Sequence, residues 1–221
     1  MKEKKPKTLN VKKDDLRFYI QIGMIVTLIG ILMFSIINPQ TDSVGSGIGT
    51  VSASEIIPTG EPFYGKEMGF SYDDINPNDP RGADQAIKKF AILDQQIGLT
   101  GSDLDRYIDI LYNQHNGMSC EYCCGARSII FENGEPACGC AHSFAMRGLT
   151  KHLITNYSDL SDTEILEEVA KFKVLFFPGI HEQKADVMNA QGIETDYISL
   201  TTNEYRGIEQ GQVSGGMVGG C

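Results

Sequence analysis

Five of the six cysteines in this 221-residue chain fall within 21 residues. They read Cys120-Glu121-Tyr122-Cys123-Cys124 and then Cys138-Gly139-Cys140-Ala141-His142. Cys120-x2-Cys123 and Cys138-x-Cys140 are two close pairs, with an Asn133-Gly134 turn signal between them. Closely spaced thiols can turn toward one ion, and a hairpin can bring the second pair beside the first. Four thiolates at about 2.3 Å from Zn2+ form a closed tetrahedral site. Cys120, Cys123, Cys138 and Cys140 are therefore the expected ligands, and structural Zn2+ is the expected ion. Cys124, His142 and Cys221 are further donors within the chain. A [4Fe–4S] cluster would call for a C-x2-C-x2-C run, which is absent.

Other chemistries compete for the same thiols. Soft thiolates also suit Cu+, and Met118 and Met146 flank the cluster as thioether donors, although methionine more commonly packs a core. In an oxidising compartment the cysteines would pair as disulfides. Vicinal Cys123 and Cys124, and the C-x-C pair, make poor simple bridges. Thiol–disulfide exchange is the third reading. Cys221 ends a glycine-rich tail that would carry a thiol to the cluster, and Cys138 and Cys140 precede an expected helix N-terminus, which favours thiolates. Among the histidines, His142 stands closest, as a ligand or as a donor behind one. His115 reads as a helix-end residue, and His152 and His181 as bystanders. No Ser–His–Asp order, P-loop or G-x-G-x-x-G is present, so a binding module fits better than an enzyme.

The block Ala137-Cys138-Gly139-Cys140-Ala141-His142 resembles the signature of membrane-associated bacterial proteins named for a PCYCGC motif. The match is the Cys-Gly-Cys core with a nearby histidine; here Ala137 follows Pro136, and the other thiols fall in a different order. The wider pattern, CxxCC followed by CGCxH, looks like that of a membrane-anchored Cys-rich family. The resemblance implies a surface-tethered thiol domain that handles metal.

An anchor is legible upstream. Residues 18–37 form an uncharged run of 20, and a helix of that length spans the roughly 30 Å hydrocarbon layer. Seven Lys/Arg against three acidic residues give residues 1–17 a charge of +4. The positive-inside rule puts that tail in the cytoplasm and the rest of the chain outside a cell membrane. The first small-residue site, Val51-Ser52-Ala53, lies too far downstream for signal cleavage. The remaining residues carry −14 (12 basic, 26 acidic), which argues against nucleic acid as a partner. The expected partners are the lipid bilayer and a metal ion.

The expected fold is mainly α, with one short β-hairpin at the cysteines. A Gly/Ser/Thr/Pro-rich tether is expected over residues 38–60, a helical domain over 61–200 and a mobile tail over 201–221. Asp74-x-Asn76-x-Asn78 starts like a calcium loop but lacks its glycine and its final glutamate, so it reads as a loop into a helix. Helices are expected over residues 83–97, over a segment capped by Thr100-x-x-Asp103 that stops at Asn116-Gly117, and after Cys140. Ser161-x-x-Glu164 caps a further helix that Pro178-Gly179 ends, and the last runs over residues 181–190.

Overall fold

The computed structural model describes residues 23–24, 53–120 and 125–210. The chain divides into two units, residues 1–47 and 48–221. Of the first, the described part is Gly23 and Met24, so the expected anchor otherwise lies outside the described residues. Among the described residues no helix is long and apolar enough to cross a membrane.

The second unit is mainly α. Its helices are α1 (Ala53–Ile56), α2 (Gly65–Met68), α3 (Pro80–Gln96), α4 (Ser102–Ile108), α5 (Ala141–Asn156), α6 (Asp162–Phe176), α7 (Pro178–Ala190) and α8 (Tyr197–Thr201). Helix α1 falls at the end of the stretch read as a tether. There Ile56 packs into a small core with Ala185, Met188 and Leu200.

Helix α5 is the centre of the fold. It is buried around nearly its whole circumference, from His142 to Ile154, which marks a helix enclosed by neighbours. Helix α3 packs against it more extensively than any other element. Gly148 makes that approach feasible: a Cβ there would lie 1.9 Å from the Phe90 carbonyl oxygen. On the other side α6 contributes Phe172 and Phe176. Phe90 and Phe172 meet edge to face with centroids 4.8 Å apart, a favoured aromatic geometry. Lys173, fully buried, reaches the Thr201 carbonyl and ties α6 to α8.

Local chemistry sets the helix ends. Asp79 caps α3 through the Arg81 and Gly82 amides, with Pro80 in the first turn, so the helix begins three residues before the expected start. Asn76 accepts from the Asn78 and Asp79 amides, which gives the calcium-like triplet a role in building this turn. The Ser161/Glu164 capping box on α6 forms as expected.

Three expectations are corrected. Thr100 does not cap α4; Gly101 precedes it with φ +57°, and no side chain bonds the first turn. Pro178 ends α6 but also opens α7, because a proline needs no amide partner at a first helical position. The β-hairpin shrinks to one antiparallel bridge, Ile130 with Pro136. The turn itself forms, with Gly134 at φ +84°. Pro136 lacks the amide that a continuing ladder needs.

His152 supplies a pH-dependent element of this core. It is buried, and its Nδ1 accepts from Asn156 Nδ2 at 3.1 Å, which suits a neutral ring. Burial holds its pKa below the ordinary value of 6.5, against the opposing pull of Glu67. A depressed pKa means that the unfolded chain takes up the proton first. The stability at stake is complete above pH 6.5 and is lost as pH falls through the folded-state pKa. Chemical denaturation from pH 7.5 to 5 is expected to show declining stability, with a shallower decline in His152→Gln. An unchanged slope in that variant would remove His152 as the cause.

Candidate metal centre

The cysteine loops hang from three supports. The first is the end of the helix that precedes them. Helix α4 loosens into a π-turn (Asp109–Asn113) and a short 3-10 turn (Gln114–Asn116). His115 and Asn116 take φ of +47° and +65°, uncommon for non-glycine residues, and Gly117 follows at +87°. The chain thus reverses before Cys120. The Met118 amide bonds the Leu111 carbonyl at 2.9 Å, and the Met118 carbonyl accepts from the Ile129 amide at 2.9 Å.

The second support is Arg147, fully buried on α5. Its Nε donates to Asp94 Oδ2 of α3 at 2.9 Å, and its Nη2 forms an ion pair with the same oxygen at 2.8 Å. Its Nη1 donates to the carbonyls of Ile129, at 3.2 Å, and Cys138, at 2.8 Å. Lys151 pairs with the second Asp94 oxygen at 2.8 Å. One guanidinium therefore fastens both sides of the turn to the helix core.

The third support is the segment after α8. The Asn203 amide bonds the Gly117 carbonyl, and its side chain bonds the carbonyls of Asn116 and Arg127. Arg206 bonds the Ala126 carbonyl at 3.1 Å, and Glu204 bonds His115 Nδ1 at 2.7 Å. These contacts grip the chain on either side of residues 120–124.

Three sulfurs converge on this frame. The Sγ atoms of Cys120, Cys138 and Cys140 all lie within 4.8 Å of one another, and among the described residues they are the group of donors able to hold a metal ion. No disulfide joins any of the three. Cys120 and Cys138 are buried, and Cys140 is half-buried. Cys140 is the N-cap of α5; its sulfur accepts from the Ser143 amide at 3.4 Å and lies 3.2 Å from the Ser143 hydroxyl.

Cys120 Sγ and Cys140 Sγ are 3.1 Å apart. That is longer than a disulfide, about 2.05 Å. It is shorter than the roughly 3.8 Å between two thiolates placed tetrahedrally at about 2.3 Å from zinc. At this distance one sulfur can donate a hydrogen bond to the other. The Cys120 hydrogen bond holds the Cys140 pKa low, aided by His142 and Ser143 and opposed by burial. The same bond and burial push Cys120 up. The two thiols titrate as a pair.

The other expected donors are placed as follows. Cys123, Cys124 and Cys221 lie outside the described residues. His142 is buried between the rings of Phe176 and Phe177, at 4.7 and 5.2 Å, and helps to hold the Cys140 pKa low; it is not one of the three clustered donors. Met118 and Met146 are fully buried in the main core. His115 ends its helix as expected, and His181 Nδ1 engages the Phe177 carbonyl.

Arg147, Asn203 and Arg206 were not singled out in the sequence. A charged residue in an apolar helix register was the one available signal for Arg147. Comparison with protein-family models, with curated proteins and with solved structures finds no match.

Removing Asp94 leaves Arg147 buried without its counter-charge. Asp94→Ala is expected to cost about 3–5 kcal/mol of stability. The freed guanidinium loosens its hold on the Cys138 carbonyl, so the Cys138 thiol becomes reactive toward an aromatic disulfide reagent under native conditions. Wild-type stability and an unreactive Cys138 in this variant would show that Arg147 is not the fastening.

Proposed function

We propose that the chain is a membrane-anchored, extracytoplasmic metal-binding protein whose thiolate site holds zinc in a structural role. What carries the reading is the convergence of the Cys120, Cys138 and Cys140 sulfurs from three separate positions in the chain. Cys123 is the fourth ligand in this reading, on the spacing of Cys120-x2-Cys123, with Cys124 and His142 as the alternatives. The thiol domain and its tether accord with the resemblance of the Cys-Gly-Cys block to the PCYCGC-motif proteins. The anchor rests on the uncharged run of residues 18–37 and on the basic residues before it.

Burial favours a structural ion over a cargo ion. Cys120 and Cys138 are 1% and 3% exposed, whereas a carrier must present its ligands to a partner for transfer. Zinc bound here would add its binding energy to folding. The Arg147/Lys151/Asp94 group, with two positive charges and one negative, offsets part of the charge that thiolates bring.

The full-length chain, purified in detergent without oxygen, is expected to carry about one zinc per chain by element analysis. Cys138→Ser is expected to lose the zinc and to melt at lower temperature, whereas Cys221→Ser keeps both. Zinc-free protein with every thiol open to reagent would overturn the zinc assignment. Copper above one equivalent, retained through purification, would replace it with a carrier.

A further inference from the structure

Cys120 and Cys140 have a geometry that a closed zinc site does not require. Their sulfurs are in contact at 3.1 Å, within the 3–3.5 Å range of atoms poised to react. A shift of about 1 Å would bring them to disulfide bonding distance. Their exposures differ: Cys140 is half-buried, while Cys120 is 1% exposed. Of the two residues, Cys140 is the one with exposure to an outside molecule, and the Cys120 sulfur lies within 3.1 Å of its sulfur.

Cys138 is less suited to either part. It is 3% exposed, its carbonyl is fixed by Arg147, and its C-x-C spacing to Cys140 disfavours an internal bridge. The frame does not need to unfold for the Cys120–Cys140 bond to form. Cys140 caps α5 through its side chain, while Cys120 sits on a loop fastened at Met118 by two backbone bonds.

We propose that Cys120 and Cys140 form a dithiol–disulfide couple that exchanges with external linear disulfides, with Cys140 as the entry sulfur and Cys120 as the resolving one. In the first step the Cys140 sulfur attacks a disulfide R–S–S–R. A Cys140–S–S–R bond forms, and one R–S⁻ leaves. In the second step the Cys120 sulfur attacks the Cys140 sulfur, the Cys120–Cys140 bond forms, and the second R–S⁻ leaves. Two cysteine sulfurs are oxidised, one external disulfide is reduced, and each proton the two cysteines carry passes to a departing R–S⁻. Zinc on the cluster competes with this reaction, because oxidation removes two of its ligands. Exchange and zinc binding thus use the same sulfurs but stand or fall separately.

The test is to treat the full-length reduced chain, with and without prior chelation, with oxidised glutathione. The reaction is quenched in acid and the cysteine linkages are mapped by mass spectrometry. The expected product is a Cys120–Cys140 cross-link, formed faster after chelation, with zinc released as it forms. Cys120→Ser is expected to stop at a glutathione adduct on Cys140, and Cys140→Ser to form neither product. A dominant cross-link through Cys138, or adducts spread over the cysteines without a Cys120–Cys140 bond, would overturn the proposal. The linkage map of the unmutated chain decides even where a serine variant fails to fold. Zinc bound but no cross-link would reject exchange alone; a cross-link in a chain that never binds zinc would reject the zinc reading alone.

Discussion

The buried pair of Arg147 with Asp94 is the constraint on which the rest of the structure depends. A guanidinium inside an apolar core is tolerated only when its charge is matched and its donors are used. Asp94 matches the charge from α3, and the carbonyls of Ile129 and Cys138 take Nη1. The same side chain thereby sets the distance between the two central helices and the position of the cysteine turn. Gly148 is the neighbouring half of this constraint, since the helices must come close enough for the pair to form. A lysine here would keep the charge but lose the planar fork that reaches a carboxylate and two carbonyls together.

The three sulfurs come from one 21-residue stretch, and each is placed by a different physical device. Cys140 arrives as a helix cap, Cys138 through a carbonyl held by a buried cation, and Cys120 at the end of a reversed, left-handed turn. The segment around Asn203 closes the frame from the C-terminal side. Sulfurs held by such a frame lose less entropy on binding a ligand than sulfurs on an unfastened loop. The frame also places the Cys120 and Cys140 sulfurs 3.1 Å apart.

Much of the helical framework was legible in the sequence because its signals are local. The Ser161/Glu164 box and the apolar register after Cys140 depend on residues three or four apart, and both helices are present. The early start of α3 was missed because the Asp79-Pro80 cap lies in a turn-rich stretch with no apolar periodicity. The hairpin was expected from Asn133-Gly134, but strand extension depends on amides that Pro136 does not have. In the site, thiol spacing brought Cys120, Cys138 and Cys140 together on the page as it does in space. The partners that position them were not legible. Arg147 to Asp94 is a contact across 53 residues, and Asn203 reaches back to Asn116 across 87. No local pattern encodes such pairs.

Cobalt(II) titration of the reduced full-length chain tests the central claim most directly, because the spectrum reports both ligand type and geometry. Convergent thiolates on a rigid frame predict strong thiolate-to-cobalt charge-transfer bands and intense tetrahedral d–d bands that saturate at one equivalent and are abolished by zinc. A weak octahedral spectrum without charge transfer would contradict the account.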